Sequence, residues 1–312
     1  KCIWKVFDFA ERYEILANMI LAIGELLIDI YPDFKCLGGA TSNFCYHLKK
    51  LGHPTYLISC IGKDETAKEI LSELKNRGMN TDFIQIDENQ TTGFVKVKLI
   101  DKGIPLFTIS NNLAFDHIKH DQKIDDLLNI NVDLIYIGTI GQRGEVSRKT
   151  TMKILENRGN KTKCFMDVNL RQNFYSKEII RNSLIHSDVV KCNEFEIETI
   201  KDLLSHKDSL ESFIDFLFKE FKLDWLCITK GDKPTELYTK EDKLELGVDK
   251  SIKPIDTVGA GDAFSSILAL GYIKKWNPAL TLKRATEFAG KICEVKGAIL
   301  QMIFIFRSRM II

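Results

Sequence analysis

The run Asp256-Thr257-Val258-Gly259-Ala260-Gly261-Asp262 leads directly into the apolar helical pattern Ala263, Phe264, Ile267, Leu268, Leu270. Two glycines at the mouth of a helix leave backbone N–H groups free to close around an anion, and the helix dipole favours negative charge there. Asp262 falls in the first helical turn. It either complements the dipole or, beside a phosphate cradle, acts as the base that deprotonates an attacking hydroxyl. Taken alone, the string is equally a glycine-bent loop with an acidic first turn. A second string, Gly38-Gly39-Ala40-Thr41-Ser42-Asn43, opens another helix. Its paired glycines let the backbone approach a ligand, and Asn43 offers donor and acceptor groups that match a polyol. The plain alternative is a helix start capped by Thr41 or Ser42. Upstream, in Gly24-Glu25-Leu26-Leu27-Ile28-Asp29, the acid just beyond the first strand either accepts hydrogen bonds from sugar hydroxyls or is an ordinary loop residue.

These residues need a scaffold, and the chain supplies an alternating one. Met19 to Leu27 reads as a buried strand, Thr41 to Leu51 as a helix closed by Gly52, Thr55 to Ile61 as a strand, and Glu65 to Arg77 as a helix ended by Gly78. The pattern resumes with strands at Leu134 to Ile137, Cys164 to Val168, Val189 to Lys191 and Leu226 to Thr229. Helices are expected between them, around 145–157, 177–186, 194–204 and 209–221. Such alternation predicts a mainly parallel sheet covered by helices on both faces, with ligands at the C-terminal ends of the strands. One stretch breaks it. Gly93 to Ile109 has a two-residue period around Asp101-Lys102-Gly103, a hairpin that pairs with the segment after Leu27. It is either an edge decoration or a flap that excludes water from a reactive phosphate.

Composition narrows the function classes. A chain of 312 residues with 45% hydrophobic residues can bury the core of one large α/β domain. Its formal net charge of +1 gives no global attraction to nucleic acid or to an anionic membrane, so any anion site is local. The eight cysteines include no Cys-x-x-Cys pair and mostly sit inside apolar runs, as expected of buried reduced thiols. No apolar stretch approaches a membrane span, and the charged residues of 1–18 do not read as a signal peptide. A cytoplasmic protein is expected.

The DTVGAGD string followed by Ala-Phe, the GG-x-x-x-N helix start with Gly52 and Gly62 beyond it, and the order of elements resemble the ribokinase-like, or PfkB, carbohydrate kinases from about Met19 to Ala298. Gly24-Glu25-Leu26-Leu27-Ile28-Asp29 and Asp167-Val168-Asn169-Leu170-Arg171 look most like the fructokinase and ketodeoxygluconate kinase branch. The resemblance implies a three-layer α/β/α domain over 19–298 with a small β lid from about 27–37 and 91–110. It leaves 1–18 as an extension and 299–312 as an unusually apolar tail. It implies Asp262 as catalytic base, with the N–H groups of Gly259, Ala260 and Gly261 as an anion hole. Asp29, Gly38, Gly39, Asn43 and Arg171 would line the sugar pocket, and Asn193, Thr229, Gly231, Ala289 and Cys293 the nucleotide site. Glu196 would organise Mg2+ through water, and Asp256 would help to bind K+.

Without that resemblance, Asn193 and Glu196 read as a first helical turn, Arg171 as a salt-bridge partner, and Ala289 and Cys293 as core. The chain departs from the family at Thr41, where many members have proline, at Cys45, and after Gly231, where Asp232-Lys233-Pro234 lacks a second glycine. The expected activity is ATP-dependent phosphorylation of a small sugar, most readily fructose, at a primary hydroxyl, with a homodimer through the lid as the expected assembly. The segment Leu106 to Phe115 holds no arginine for a substrate carboxylate, which disfavours ketodeoxygluconate. Ribokinase or nucleoside kinase activity, and a relative that binds without turnover, remain the alternatives.

Overall fold

Apolar runs of four to seven residues form strands buried on both faces, as a parallel sheet under two helical layers requires. The computed structural model describes residues 19–100, 104–249, 251–295 and 297–298. The expected extension at 1–18, the hairpin turn at 101–103 and the tail at 299–312 lie outside the described residues. In chain order the strands are Met19–Ile23 (β1), Leu27–Ile30 (β2), Lys35–Gly38 (β3), Thr55–Ile61 (β4), Ile84–Ile86 (β5), Gly93–Ile100 (β6), Ile104–Ile109 (β7), Val132–Gly138 (β8), Lys163–Asp167 (β9), Val189–Asn193 (β10), Trp225–Thr229 (β11), Thr235–Thr239 (β12) and Lys243–Leu246 (β13). The α-helices are Ala40–Lys50 (α1), Glu65–Asn76 (α2), Gln122–Leu128 (α3), Glu145–Glu156 (α4), Lys177–His186 (α5), Glu194–Leu203 (α6), Leu210–Phe221 (α7), Ala260–Ile273 (α8) and Pro278–Cys293 (α9).

The main sheet runs β13-β12-β11-β10-β9-β8-β1-β4-β5, parallel from β11 through to β5, with β12 and β13 added antiparallel at one edge. Alternate residues of each strand feed two separate cores. Ile20 and Ala22 of β1 pack with Phe44, Ile267 and Phe288 in the layer of α1, α2, α8 and α9. Met19, Leu21 and Ile23 pack with Leu155, Leu184, Ile200 and Leu217 in the layer of α3 to α7. Most of α8 is buried, so its first turn is fixed against the sheet. Among the described residues no helix is long and apolar enough to cross a membrane.

A second sheet, β3-β2-β6-β7, forms the lid. Strand β2 pairs antiparallel with β3 and parallel with β6, joining the hairpin to the segment after Leu27. Arg143 secures its return: Nε and Nη2 donate to Asp116 at 2.8 and 2.9 Å, Nη2 reaches the Ser110 carbonyl at 2.7 Å, and the guanidinium lies over Phe115 and Phe174.

One expected strand is corrected. Met19 to Leu27 is not continuous: β1 ends at Ile23, and the lid strand begins at Leu27. Leu26 in the gap is fully buried, so apolarity continues while the chain changes sheets.

Candidate active site

The C-terminal ends of β9, β10 and β11 and the N-termini of α1, α6 and α8 converge on two adjoining cavities. The larger, of about 520 Å³, lies between the turn after β11, the segment before α8 and one face of α9; Gly231, Ile252, Thr286, Ala289 and Cys293 contribute to its wall. The smaller, of about 350 Å³, contains Glu25, Asp29, Gly39, Asn43, Arg171, Lys191, Asn193, Glu196 and Asp262, with Leu27, Val95 and Ile109 of the lid covering it. Thr229, Thr257 and Gly261 border both. A group passing from one cavity to the other must cross the first turn of α8.

That turn begins at Gly259, which caps α8 in the left-handed region with φ 77°. The Ala260 N–H donates to the Thr257 carbonyl at 3.3 Å, and α-helical bonding starts with Ala263 N–H to the Gly259 carbonyl at 2.9 Å. The N–H groups of Gly261 and Asp262 have no main-chain acceptor among the described residues. Of the three amides expected in the anion hole, that of Ala260 is therefore already occupied. Asp262 is partly exposed to the cavity, and Asn43 Nδ2 donates to its Oδ2 at 2.8 Å across 219 positions of sequence. The other side-chain atom, Asn43 Oδ1, is buried with no partner among the described residues, an acceptor that a ligand hydroxyl would satisfy.

Burial pushes the Asp262 carboxyl up to about 6. The Asn43 hydrogen bond pulls it down, Asp167 pushes it up, and Lys191 and Arg171 pull it down. Burial also raises Glu25 and Asp29 to about 7, with the Asp262 charge adding to both. These neighbouring acids titrate as a coupled set. A base works deprotonated, so activity is present above its pKa and lost as pH falls through it. We expect kcat/KM to fall on the acid side with an apparent pKa near 6, tenfold per pH unit below it. A profile flat down to pH 5 would contradict a base with the environment of Asp262.

The remaining expected residues divide clearly. Thr229, Gly231, Ala289 and Cys293 line the larger cavity, whereas Asn193 faces the smaller one. Asn193 Oδ1 accepts the Phe195 and Glu196 N–H groups, and Glu196 Oε2 accepts the Asn193 N–H at 2.8 Å, a capping box at the start of α6. Glu196 Oε1 accepts the Leu170 N–H at 2.8 Å, and burial raises this carboxyl. Gly38 does not line the cavity. A Cβ there would sit 2.3 Å from Asp29 Oδ2, so its missing side chain makes room for that acid. Asp256 borders neither cavity; its oxygens accept the Val258 and Gly297 N–H groups at 3.0 and 2.9 Å and brace the loop before α8.

The departures from the family pattern are accommodated locally. Thr41 Oγ1 donates to Glu25 Oε2 at 3.1 Å, and Ala40 N–H to Glu25 Oε1 at 3.1 Å, so a distant acid caps α1. Cys45 is buried in the core beneath that helix. The turn after Gly231 closes through Lys233 N–H to the Lys230 carbonyl at 3.0 Å, and Asp232 and Thr235 still line the cavity.

Three site residues had no role assigned from sequence: Glu25, Asp167 and Lys191. Lys191 carried a usable signal, a charge inside the apolar run Val189-Val190-Lys191-Cys192. Its ammonium lies 3.1 and 3.3 Å from the two Asp167 oxygens. Burial opposes that charge, but Asp167, Glu196 and Asp262 outweigh it and raise the Lys191 pKa.

With this geometry established, residues 34–303 match the model of the pfkB family carbohydrate kinases, and the chain belongs to that family. It is 26% identical over 306 residues to probable fructokinase-5 of Arabidopsis thaliana, covering 90% of this chain and 93% of that protein. It is 28% identical over 273 residues to the nucleoside kinase of Methanocaldococcus jannaschii, covering 86% and 83%. The crystal structure of a sugar kinase from Pyrococcus horikoshii in complex with ATP superimposes with a TM-score of 0.73 at 26% identity, covering 89% of this chain and 93% of that one. The fold is thus ribokinase-like, and the protein is a kinase of the sugar and nucleoside class.

Proposed function

We propose that this kinase moves the γ-phosphoryl group of ATP to a primary hydroxyl of a small neutral sugar, with fructose the leading candidate. The observation that carries the reading is the position of Gly261-Asp262, where the two cavities meet. ATP would occupy the larger cavity with its base against α9 and its terminal phosphate at the first turn of α8. The sugar would lie under the lid among Asp29, Asn43 and Gly39, with the orphaned Asn43 Oδ1 accepting one hydroxyl.

Asp262 takes the proton from the sugar hydroxyl as its oxygen bonds to phosphorus and the bond to the β-phosphate oxygen breaks, releasing ADP. The free N–H groups of Gly261 and Asp262 hold the phosphoryl oxygens, and the lid excludes water, the competing acceptor. Magnesium, which neutralises charge on the β- and γ-phosphates, suits Glu196 through water. Each Glu196 oxygen accepts one backbone N–H and retains a lone pair, and no cluster of three His, Cys, Asp or Glu ligands occurs among the described residues.

The charge of the pocket favours a neutral substrate. Glu25, Asp29 and Asp262 surround the sugar cavity, while Arg171 lies exposed at its edge with Nη1 bonded to its neighbour's carbonyl. A sugar acid would meet carboxylates on most sides. Coupled ADP-release assays with fructose, ketodeoxygluconate, ribose and adenosine test this directly. Fructose should give the highest kcat/KM. Preference for adenosine would move the protein to the nucleoside branch, and saturable binding without turnover on any acceptor would overturn the catalytic reading.

A further inference from the structure

Lys191 and Asp167 are register partners on the adjacent parallel strands β10 and β9, so both side chains project on the same side of the sheet, beneath α8. Asp167 is almost fully buried and is held from two further directions. The Ser265 hydroxyl lies 2.7 Å from its Oδ2 and 2.9 Å from the Gly261 carbonyl oxygen, and Tyr136 O–H donates to Oδ2 at 3.3 Å. Tyr136 is fixed in turn by stacking on Phe44, with ring centroids 3.9 Å apart. The chain of contacts ends on Lys191, whose Nζ is 3.2 Å from where a Cβ on Gly261 would stand. An ammonium has three donors, and the carboxylate of Asp167 does not exhaust them. Lys191 also borders the cavity that contains Asp262.

Charge makes this placement matter. Glu25, Asp29, Glu196 and Asp262 face the cavity; burial keeps them partly protonated, but the share that is ionised repels an arriving phosphoryl group. Arg171, at the exposed edge, counters it only from outside, whereas Lys191 lies buried directly under the first turn of α8. We infer that Lys191, oriented by Asp167, touches the phosphoryl group during transfer and balances its charge from beneath the α8 amides. This rests on the proposed reading of the Asp262 cradle.

A double substitution separates this role from structural charge balance. Lys191→Met alone leaves Asp167 buried without its partner and can fail to fold. Lys191→Met with Asp167→Asn replaces the pair by neutral side chains of similar size. With ATP, magnesium and the acceptor that turns over best, the double variant should melt within about 4 °C of the wild type. Its KM for sugar should stay within about threefold while kcat falls about 100- to 1,000-fold, the scale of losing one preorganised transition-state partner. Recovery of kcat to within threefold of wild type would overturn the inference, as would a double variant that cannot fold, which would assign the pair to stability. Asp262→Asn run in parallel distinguishes the two readings. An active Asp262→Asn enzyme removes the cradle itself, whereas an inactive one beside an active double variant removes only the role of Lys191.

Discussion

Asp262→Asn should lower kcat about 1,000- to 10,000-fold while the dissociation constants for sugar and for a non-hydrolysable ATP analogue stay within about threefold. The substitution keeps the shape of the site, because an amide oxygen can still accept the 2.8 Å hydrogen bond from Asn43. What it removes is the one capacity the proposed mechanism demands of this side chain, to take a proton. It also removes one negative charge from a cavity that contains Glu25, Asp29 and Glu196, so binding of the nucleotide's phosphates should if anything tighten. Loss of kcat with unchanged or tighter binding is the signature of an interaction made only in the transition state. The residual activity should lose the acid limb near pH 6, since the group that titrates there is gone. Turnover within tenfold of wild type would remove Asp262 from the chemistry, and equal losses in binding and kcat would make it a positioning residue.

Local chemistry was legible in the sequence, whereas long-range register was not. The glycine turn before α8 announces itself because seven consecutive residues place its glycines and the acid together at a helix start. The sequence marks Asn43 as a candidate polyol ligand, but its hydrogen bond to Asp262 joins residues 219 apart and exists only because α1 and α8 pack side by side. The Lys191–Asp167 pair likewise depends on the register of β10 against β9. The interior strands were readable as continuous apolar runs. The edge strand β13, Lys243-Leu244-Glu245-Leu246, was not, since its alternation is shared with many exposed loops. Glu25 was hidden by context: as the second residue of a loop it has no distinguishing pattern, and only the fold turns it inward to cap α1.

Gly259→Ala carries the second large expectation, and it tests the cradle without touching any charge. Gly259 holds φ 77°, a conformation that costs an L side chain about 1 kcal/mol or more. Its Cβ would also stand 2.4 Å from the Ala298 Cβ and 2.5 Å from the Ala298 Cα, distances that no bonded-pair adjustment can absorb without moving one backbone segment. Residues 297–298 are tied to the same loop through the Gly297 N–H bond to Asp256 Oδ2. The strain therefore falls on 256–261, the segment that leads into the proposed phosphate-binding turn and ends at the Gly261 N–H, which has no main-chain acceptor among the described residues. A displacement of about 1 Å in a positioning element costs about 100-fold in rate. We expect kcat to fall at least that far, with sugar affinity nearly unchanged because Asp29 and Asn43 belong to other elements. Overpacking should lower stability by about 1–3 kcal/mol, visible as a reduced melting temperature. Gly231→Ala is the matching control: it too has positive φ, 62°, and lines the larger cavity, but nothing lies within 4 Å of its Cβ position. If Gly259→Ala loses no more activity than that control, the first turn of α8 is not where the phosphoryl group is held.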